Sequence, residues 1–331
     1  MSRFDGIYPI LPEYDMFAQS IEIVKEPNVY KINTPYGAFA CKKTEAPQGR
    51  LRFVTGILRH LQHRGWDGAV PVLYTKYDEP CVKHGESSYY LTPWLSANPF
   101  DQAGLVKWAG STIERLGELH LYTQNYRYED PRQVEPLIDS LIGKWTMWVN
   151  LMEQQKKHAE SLTYPSPFDV VFLANYSYIK EMAKSAIESL KVWQEKHQTY
   201  AHFRLSLIHG YPHPSHSLMN SQGKAKLVNF DRAVYDTPVR DLTMFYRSFF
   251  YAMGDEVAAS SLYHQYVDIF PLRSDEVELL ASFLQYPERI MRDIEIYYTG
   301  SKNWNELTAV RRLEKDLDRF IRLSRWTQRA F

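Results

Sequence analysis

Three histidines, an amide and a carboxylate crowd one stretch of the chain, Leu207 to Asp231, which reads LIHGYPHPSHSLMNSQGKAKLVNFD. His209, His213 and His216 can each take or give a proton near neutral pH, so acid–base chemistry is one use for them. Their H-x-x-x-H-x-x-H spacing near Asp231 also admits zinc, which accepts imidazole nitrogen and carboxylate oxygen. Pro212 and Pro214 break any helix there, so the spacing does not set the three rings on one face. The preferred reading is a proline-stiffened loop carrying polar histidines. Asp231 follows Asn229 by two in a run that reads as a strand. Alternate residues of a strand share a face, which would aim an amide oxygen and a carboxylate at one cation, or leave Asp231 to hold it alone.

The elements around this stretch follow from periodicity. NVYKINTPYGAFACKKT alternates across two short runs joined at Pro35-Tyr36-Gly37, a hairpin signal in which Pro presets one turn angle and Gly permits another. RLRFVTGILRHLQHRG sets Leu51, Val54, Ile57, Leu58 and Leu61 on one helical face and stops at Gly65. VPVLYT and SSYYLTPWL read as buried strands rich in β-branched and aromatic residues. From Asp101 the pattern turns helical, with Leu105, Trp108, Ile113, Leu116 and Leu119 marking one face. Two longer helical patterns follow, LIDSLIGKWTMWVNLMEQQKKHAESL and PFDVVFLANYSYIKEMAKSAIESLKVWQEKH. Short strand-like runs return at RLSLIH and AKLVNF, about the turn NSQGK, and helices continue to the basic, amphipathic LTAVRRLEKDLDRFIRLSRWTQRAF. The expected layout is a β-rich lobe with one helix (residues 1–95), a linker near Pro93 to Asp101, and a mainly helical lobe (residues 96–331) that carries the loop 207–231. That is an α+β, two-lobed architecture, and clefts between lobes commonly hold ligands.

Composition narrows the function. Net charge is zero, so no general attraction to nucleic acid or to an anionic membrane is expected. The arginines of the last helical pattern alternate with Glu314, Asp316 and Asp318, which reads as a solvated amphipathic face. Tyrosine is abundant, at 24 residues, and suits half-buried and interface positions, so partner binding is a mild expectation. Cys41 and Cys81 lack metal spacing and are too few for a disulfide scaffold; they read as reduced, half-buried thiols. No apolar run spans a bilayer, and MSRFDGIYPILPEYD lacks the apolar core of a signal peptide, so cytoplasmic synthesis is expected.

Several motifs, in order, resemble a known family. HGYPHPSH…LVNFD resembles the phosphotransferase signature H-G-D-x-x-x-x-N followed by a strand ending in D-F-D. This is the pattern of the aminoglycoside phosphotransferase and choline kinase branch of the protein-kinase-like fold. FACKK resembles the strand bearing the ATP-binding lysine, which would be Lys42, with Lys43 competing for the same alignment. YYLTPWLSA looks like the strand and hinge between lobes, which would place Thr92 and Trp94 at a nucleotide cleft. LGELH resembles the helix before the catalytic loop, and YDTPVRDL the segment whose acid, here Asp241, buttresses that loop. Within the branch, the wording VNFDRAVYDTPVRDLTMF, YPERIMRDIEIYYTG and LRHLQHRGW…VPVLYT is similar to the CotS/YutH group of spore coat proteins. The resemblance runs over nearly the whole chain and implies a protein-kinase-like fold.

The departures from the pattern bear on activity. Where the resemblance implies a catalytic base, the chain has Tyr211, and a phenol is mostly protonated at neutral pH. Where it implies Mg²⁺ ligands, the chain has His216 and Asn229; imidazole nitrogen suits Mg²⁺ poorly, and an amide lacks the charge that anchors the metal. The helix after Lys42 offers it no Glu, and Glu45 would have to reach in from a loop. His209 is expected to brace the loop, as Asp241 is. The expectation is a catalytically degenerate kinase-like component of the spore coat, with other coat proteins as partners, no cofactor, and no nucleic acid or membrane. The alternative is an ATP-dependent small-molecule phosphotransferase whose Mg²⁺ would sit on Asp231, with an unspecified substrate.

Overall fold

A computed structural model describes residues 6–25, 28–95, 104–124, 137–197 and 204–331. The chain forms two compact units, Met1–Tyr128 with Leu205–Asp236, and Glu129–Arg204 with Thr237–Phe331.

The first unit is built on a five-stranded antiparallel sheet. Its strands are β1 (Ser20–Lys25), β2 (Val29–Thr34), β3 (Gly37–Thr44), β4 (Val82–His84) and β5 (Ser87–Pro93), in the order β1-β2-β3-β5-β4. The hairpin expected at Pro35-Tyr36-Gly37 joins β2 to β3, with Gly37 at φ 123°, where a side chain would be strained. Register then sorts the two faces. In β3 and β5, Lys42 pairs with Tyr90, Ala40 with Thr92 and Thr44 with Ser88, so these residues share one face. Cys41 and Leu91 point the other way and join Tyr30, Ile32 and Tyr89 in a core closed by Ile7, Ile10, Leu11 and Tyr14 of an N-terminal 3₁₀ turn. Helix α1 (Gln48–His63) buries the five apolar residues assigned to its inner face. Both cysteines are free and buried.

Two strand assignments need correction. Val70–Thr75 is not a strand: Pro71 has no N–H to give a ladder, and the segment is tied by separate bonds, Val70 N–H to Leu227 O and Leu73 N–H to Leu91 O. RLSLIH and AKLVNF do not pair about NSQGK. That turn joins β7 (Ser217–Met219) to β8 (Ala225–Leu227), while β6 (Ser206–Ile208) pairs with β9 (Val234–Asp236). The segments are three residues each, too short for alternation to assign partners. Helix α2 (Leu105–Thr123) packs on β6 and β8. Thr123 Oγ1 accepts from Leu207 N–H, Ser111 Oγ from Ala225 N–H, and Ser206 Oγ donates to His120 O. These bonds tie α2 to the loop, Val70 N–H to Leu227 O and Trp66 Nε1 to Glu118 tie both to the segment that follows α1, and the first compact unit extends past residue 95. The linker expected near Pro93 to Asp101 lies, from residue 96 on, outside the described residues.

The second unit is helical: α3 (Leu137–Ser161), α4 (Pro167–Lys196), α5 (Val239–Ala252), α6 (Glu256–Ile269), α7 (Ser274–Gln285), α8 (Glu288–Thr299) and α9 (Glu306–Ala330). A capping box of Ser166 and Asp169, with Pro167 in the first turn, starts α4, which packs on α3, α7 and α9. Phe168, Phe172, Phe245, Phe249 and Trp326 are buried in its interior. Among the described residues no helix is long and apolar enough to cross a membrane.

Candidate functional site

Lys42, on the interior stretch of β3, has a partner that the sequence did not supply. Its ammonium lies 2.7 Å from Asp231 Oδ2, with the two side chains 17% and 19% exposed. The expectation that Lys42 stands without an acidic partner is therefore corrected: Asp231 takes the place of a helix glutamate, and Glu45 stays exposed. Thr44 Oγ1 donates to the same carboxylate oxygen at 2.6 Å, and Tyr90 Oη donates to Oδ1 at 2.9 Å. The sheet explains this convergence, because Lys42 and Thr44 are two apart on β3 and Tyr90 is directly opposite Lys42 on β5. Lys43 faces the other way. Burial lowers the Lys42 ammonium below the ordinary lysine range, and the Asp231 carboxylate offsets part of that effect. Burial, reinforced by Asp231, raises the Tyr90 phenol well above the usual range, so it stays a donor.

Asn229 does not join Asp231. The strand β8 ends at Leu227, Asn229 adopts the left-handed conformation at φ 68°, and Phe230–Arg232 forms a 3₁₀ turn. Alternation is broken, so the two side chains do not share a strand face. An amide side chain tolerates this conformation better than most. Asn229 Nδ2 instead lies 2.7 Å from His216 Nε2. His216 Nδ1 lies 3.0 Å from the Tyr211 carbonyl, which can only accept, so Nδ1 carries the proton and Nε2 receives the Asn229 amide. Asn229 Oδ1 is buried and, among the described residues, has no donor.

Local bonds hold the histidines, and the His216 ring also lies 6.1 Å from that of His209 and 6.0 Å from that of His213. His209, fully buried, places Nε2 2.9 Å from Val228 O and receives Tyr211 N–H at Nδ1. His213 Nδ1 caps the 3₁₀ turn by accepting from Ser215 N–H. Among the described residues no group of three His, Cys, Asp or Glu side chains is placed to hold a metal ion. Tyr211 stacks on His213, with ring centroids 5.6 Å apart, and the Arg232 guanidinium lies 5.2 Å from the Tyr211 ring. Gly210 makes the close approach of the loop to the Phe230–Arg232 turn possible. At φ 79° it lies where a Cβ would sit 2.1 Å from Arg232 O.

Of the other positions assigned from the sequence, Thr92 lies on the Lys42 face of β5, half-buried. Trp94 donates its backbone N–H to Ala38 O, and Lys31 Nζ lies over its ring. Asp241 is fully buried in the first turn of α5, in the second unit. Thr44 and Tyr90 were missed. Period-two alternation from Lys42 would have found Thr44, whereas Tyr90 depends on a register that the sequence does not state.

Mg²⁺ does not fit this donor set. It needs several hard oxygens with compensating negative charge. Asp231 is consumed by one ammonium and two hydroxyl donors, His216 offers nitrogen that is already bonded, and the remaining oxygen is a neutral amide.

Burial drives the His216 pKa down to about 4, with the Tyr211 carbonyl opposing and His209, Lys42 and His213 adding to the fall. A lowered histidine contributes stability that is complete above the unfolded value near 6.5 and is lost as pH falls towards 4. Between pH 7 and pH 4.5, wild type should lose about 2 kcal/mol more than His216→Gln, as read from urea midpoints. Equal losses would mean that His216 is not held neutral.

Comparison with known proteins gives the family and the fold. Residues 10–328 match the family described as "Spore coat putative kinase YutH". The chain belongs to this spore coat family. It is also similar to spore coat protein S of Bacillus subtilis (strain 168), at 22% identity over 292 residues, covering 84% of this chain and 79% of that protein. Among solved structures it is similar to an aminoglycoside phosphotransferase from Alicyclobacillus acidocaldarius, with TM-score 0.79 and 19% identity over 96% of this chain and 94% of that one. It is similar too to a spectinomycin phosphotransferase solved with ADP and spectinomycin, with TM-score 0.69 and 13% identity over 97% of each chain. The family therefore couples a spore coat assignment to the aminoglycoside phosphotransferase-like fold, which is the fold class expected from the ordered motifs.

Proposed function

We propose that this chain is a pseudokinase: a kinase-fold protein that has lost metal-dependent phosphoryl transfer and serves as a structural or interaction component of the spore coat. One observation carries the reading. Asp231, the acid left at the metal positions, spends both oxygens on Lys42, Thr44 and Tyr90. In phosphoryl transfer the lysine neutralises phosphate and the acid holds metal, and most of the rate comes from that positioned charge. Here the two charges neutralise each other. The base position adds a phenol stacked on His213, and the two former metal positions bond to one another. Groups that act as a unit fail together, so three replacements remove most of the rate. This reading assigns the chain no cofactor and, as partners, other coat proteins.

Thermal unfolding with ATP, with and without Mg²⁺, tests the reading beside a phosphate-release assay. We expect no Mg²⁺-dependent shift and no turnover. A Mg²⁺-dependent shift together with steady ATP hydrolysis that disappears in Asp231→Asn would establish the opposite reading, a phosphotransferase that opens the Lys42–Asp231 pair on binding. For the coat assignment, the tagged chain should fractionate with the coat layers of purified spores.

A further inference from the structure

The second unit contains a set of arginines that the kinase motifs do not use. Along α8 and α9 most cations are matched to acids. Arg312 makes a two-nitrogen contact with Asp293 at 3.0 and 3.1 Å, and Arg289 Nε bonds Asp316 at 2.7 Å. Arg247 is paired with Glu288 and also donates to the Phe283 and Tyr286 carbonyls. Arg322 pairs with Asp318, and Arg325 and Arg329 with Glu256. Arg319 is different. Its guanidinium lies 3.8 Å from the Tyr251 ring centroid, and that of Arg289 lies 3.6 Å from the same centroid. Both guanidiniums lie against the Tyr251 ring, and Lys315 Nζ lies 5.4 Å from its centroid. The stacking satisfies the flat face of Arg319 but not its N–H groups. Nη1 is buried and, among the described residues, has no acceptor.

That nitrogen belongs to a side chain lining a cavity of about 60 Å³ shared with Arg247, Arg289, Tyr251, Glu288 and Asp316. The space suits a small ion and is too small for a nucleotide. Its acids are already committed, Glu288 to Arg247 and Lys144, and Asp316 to Arg289. Burial also raises the Asp316 carboxyl, to about 6. The wall therefore carries one more positive charge than its acids balance, and the surplus sits on a buried donor. A guanidinium in this situation is completed by an oxyanion, for which its fork of N–H groups is shaped.

We propose that this cavity binds a small oxyanion, inorganic phosphate or a carboxylate of similar size, with Arg319 as its principal ligand and Arg289 supporting it. The site shares no residue with the Lys42–Asp231 cluster and does not depend on the pseudokinase reading. Thermal unfolding of the full chain is titrated with sodium phosphate, and separately with sodium acetate, at ionic strength held constant with chloride. A saturable rise in melting temperature is expected with phosphate, acetate or both, and the difference between the two arms tells which anion fits. Arg319→Met keeps the stem over Tyr251, should fold at least as well as wild type in chloride, and should lose the rise. Arg322→Met, which removes an exposed cation one turn along, should keep it. If Arg319→Met does not fold, Arg319→Lys retains charge without the fork and should weaken the response at least threefold. Absence of a response in wild type, its survival in Arg319→Met, undiminished strength in Arg319→Lys, or its loss in Arg322→Met overturns the proposal.

Discussion

Asp231→Ala should destabilise the protein by about 3 kcal/mol, read as a lower urea midpoint at unchanged slope. The substitution strips the acceptor from one ammonium and two hydroxyls at once, namely Lys42, Thr44 and Tyr90. Removing one member of a buried ion pair costs about 3–5 kcal/mol because the other charge is stranded; exposure of about a fifth for both side chains here puts the expectation at the lower end. Lys42→Met should cost less, since Asp231 keeps two hydroxyl donors and some access to water. In Lys42→Met/Asp231→Ala the penalties should not add, because the second change removes the charge that the first would strand. The measurement also bears on function. Residues kept for a substrate or a metal are commonly neutral or costly to stability, and their removal often stabilises. An Asp231→Ala variant as stable as wild type would place the acid in that class and count against a structural role.

How far the sequence foretold this cluster depends on the kind of information involved. The α1 face, Leu51 to Leu61, was legible because helical spacing states burial directly. The Pro35-Tyr36-Gly37 turn was legible because Gly37 occupies a conformation few residues accept. The fold was legible from the order of motifs from FACKK through HGY to NFD, which reports topology. The hydrogen-bond partner of Lys42 was not. Its bond to Asp231 joins residues 189 apart in the chain, a separation that no local spacing reports, and Tyr90 reaches the same carboxylate through the β3–β5 register. The expected Asn229–Asp231 face failed because strand alternation was extended two residues too far. The chain leaves β8 at Leu227, and the left-handed turn at Asn229 sends one side chain to His216 and the other to Lys42. The resemblance to the phosphotransferase signature pointed to the residue types missing from the loop. It did not give what the replacements do with one another.

The loop geometry makes Gly210→Ala the second large effect. At φ 79° an alanine pays about 1–2 kcal/mol for the left-handed backbone alone. Its Cβ would also lie 2.1 Å from the Arg232 oxygen and 2.7 Å from the Arg232 carbonyl carbon. These are backbone atoms, so no rotamer change relieves the overlap. Either the 209–211 segment or the Phe230–Arg232 turn must move, and a total cost on the order of 4 kcal/mol is expected. Gly37→Ala provides the contrast. Its φ of 123° is also unfavourable, but no atom lies within 4 Å of the added carbon, so its cost should be about 1–2 kcal/mol, that of strain alone. The two variants also differ in what they disturb. Moving the Phe230–Arg232 turn displaces Asp231 from Lys42 and Asn229 from His216, so in Gly210→Ala the His216 imidazole should regain water and titrate closer to 6.5 than to 4, as followed by NMR. In Gly37→Ala it should not. A Gly210→Ala protein with unchanged stability and an unshifted His216 would mean that the loop and the turn are not in contact, and the cluster built on that contact would fall with it.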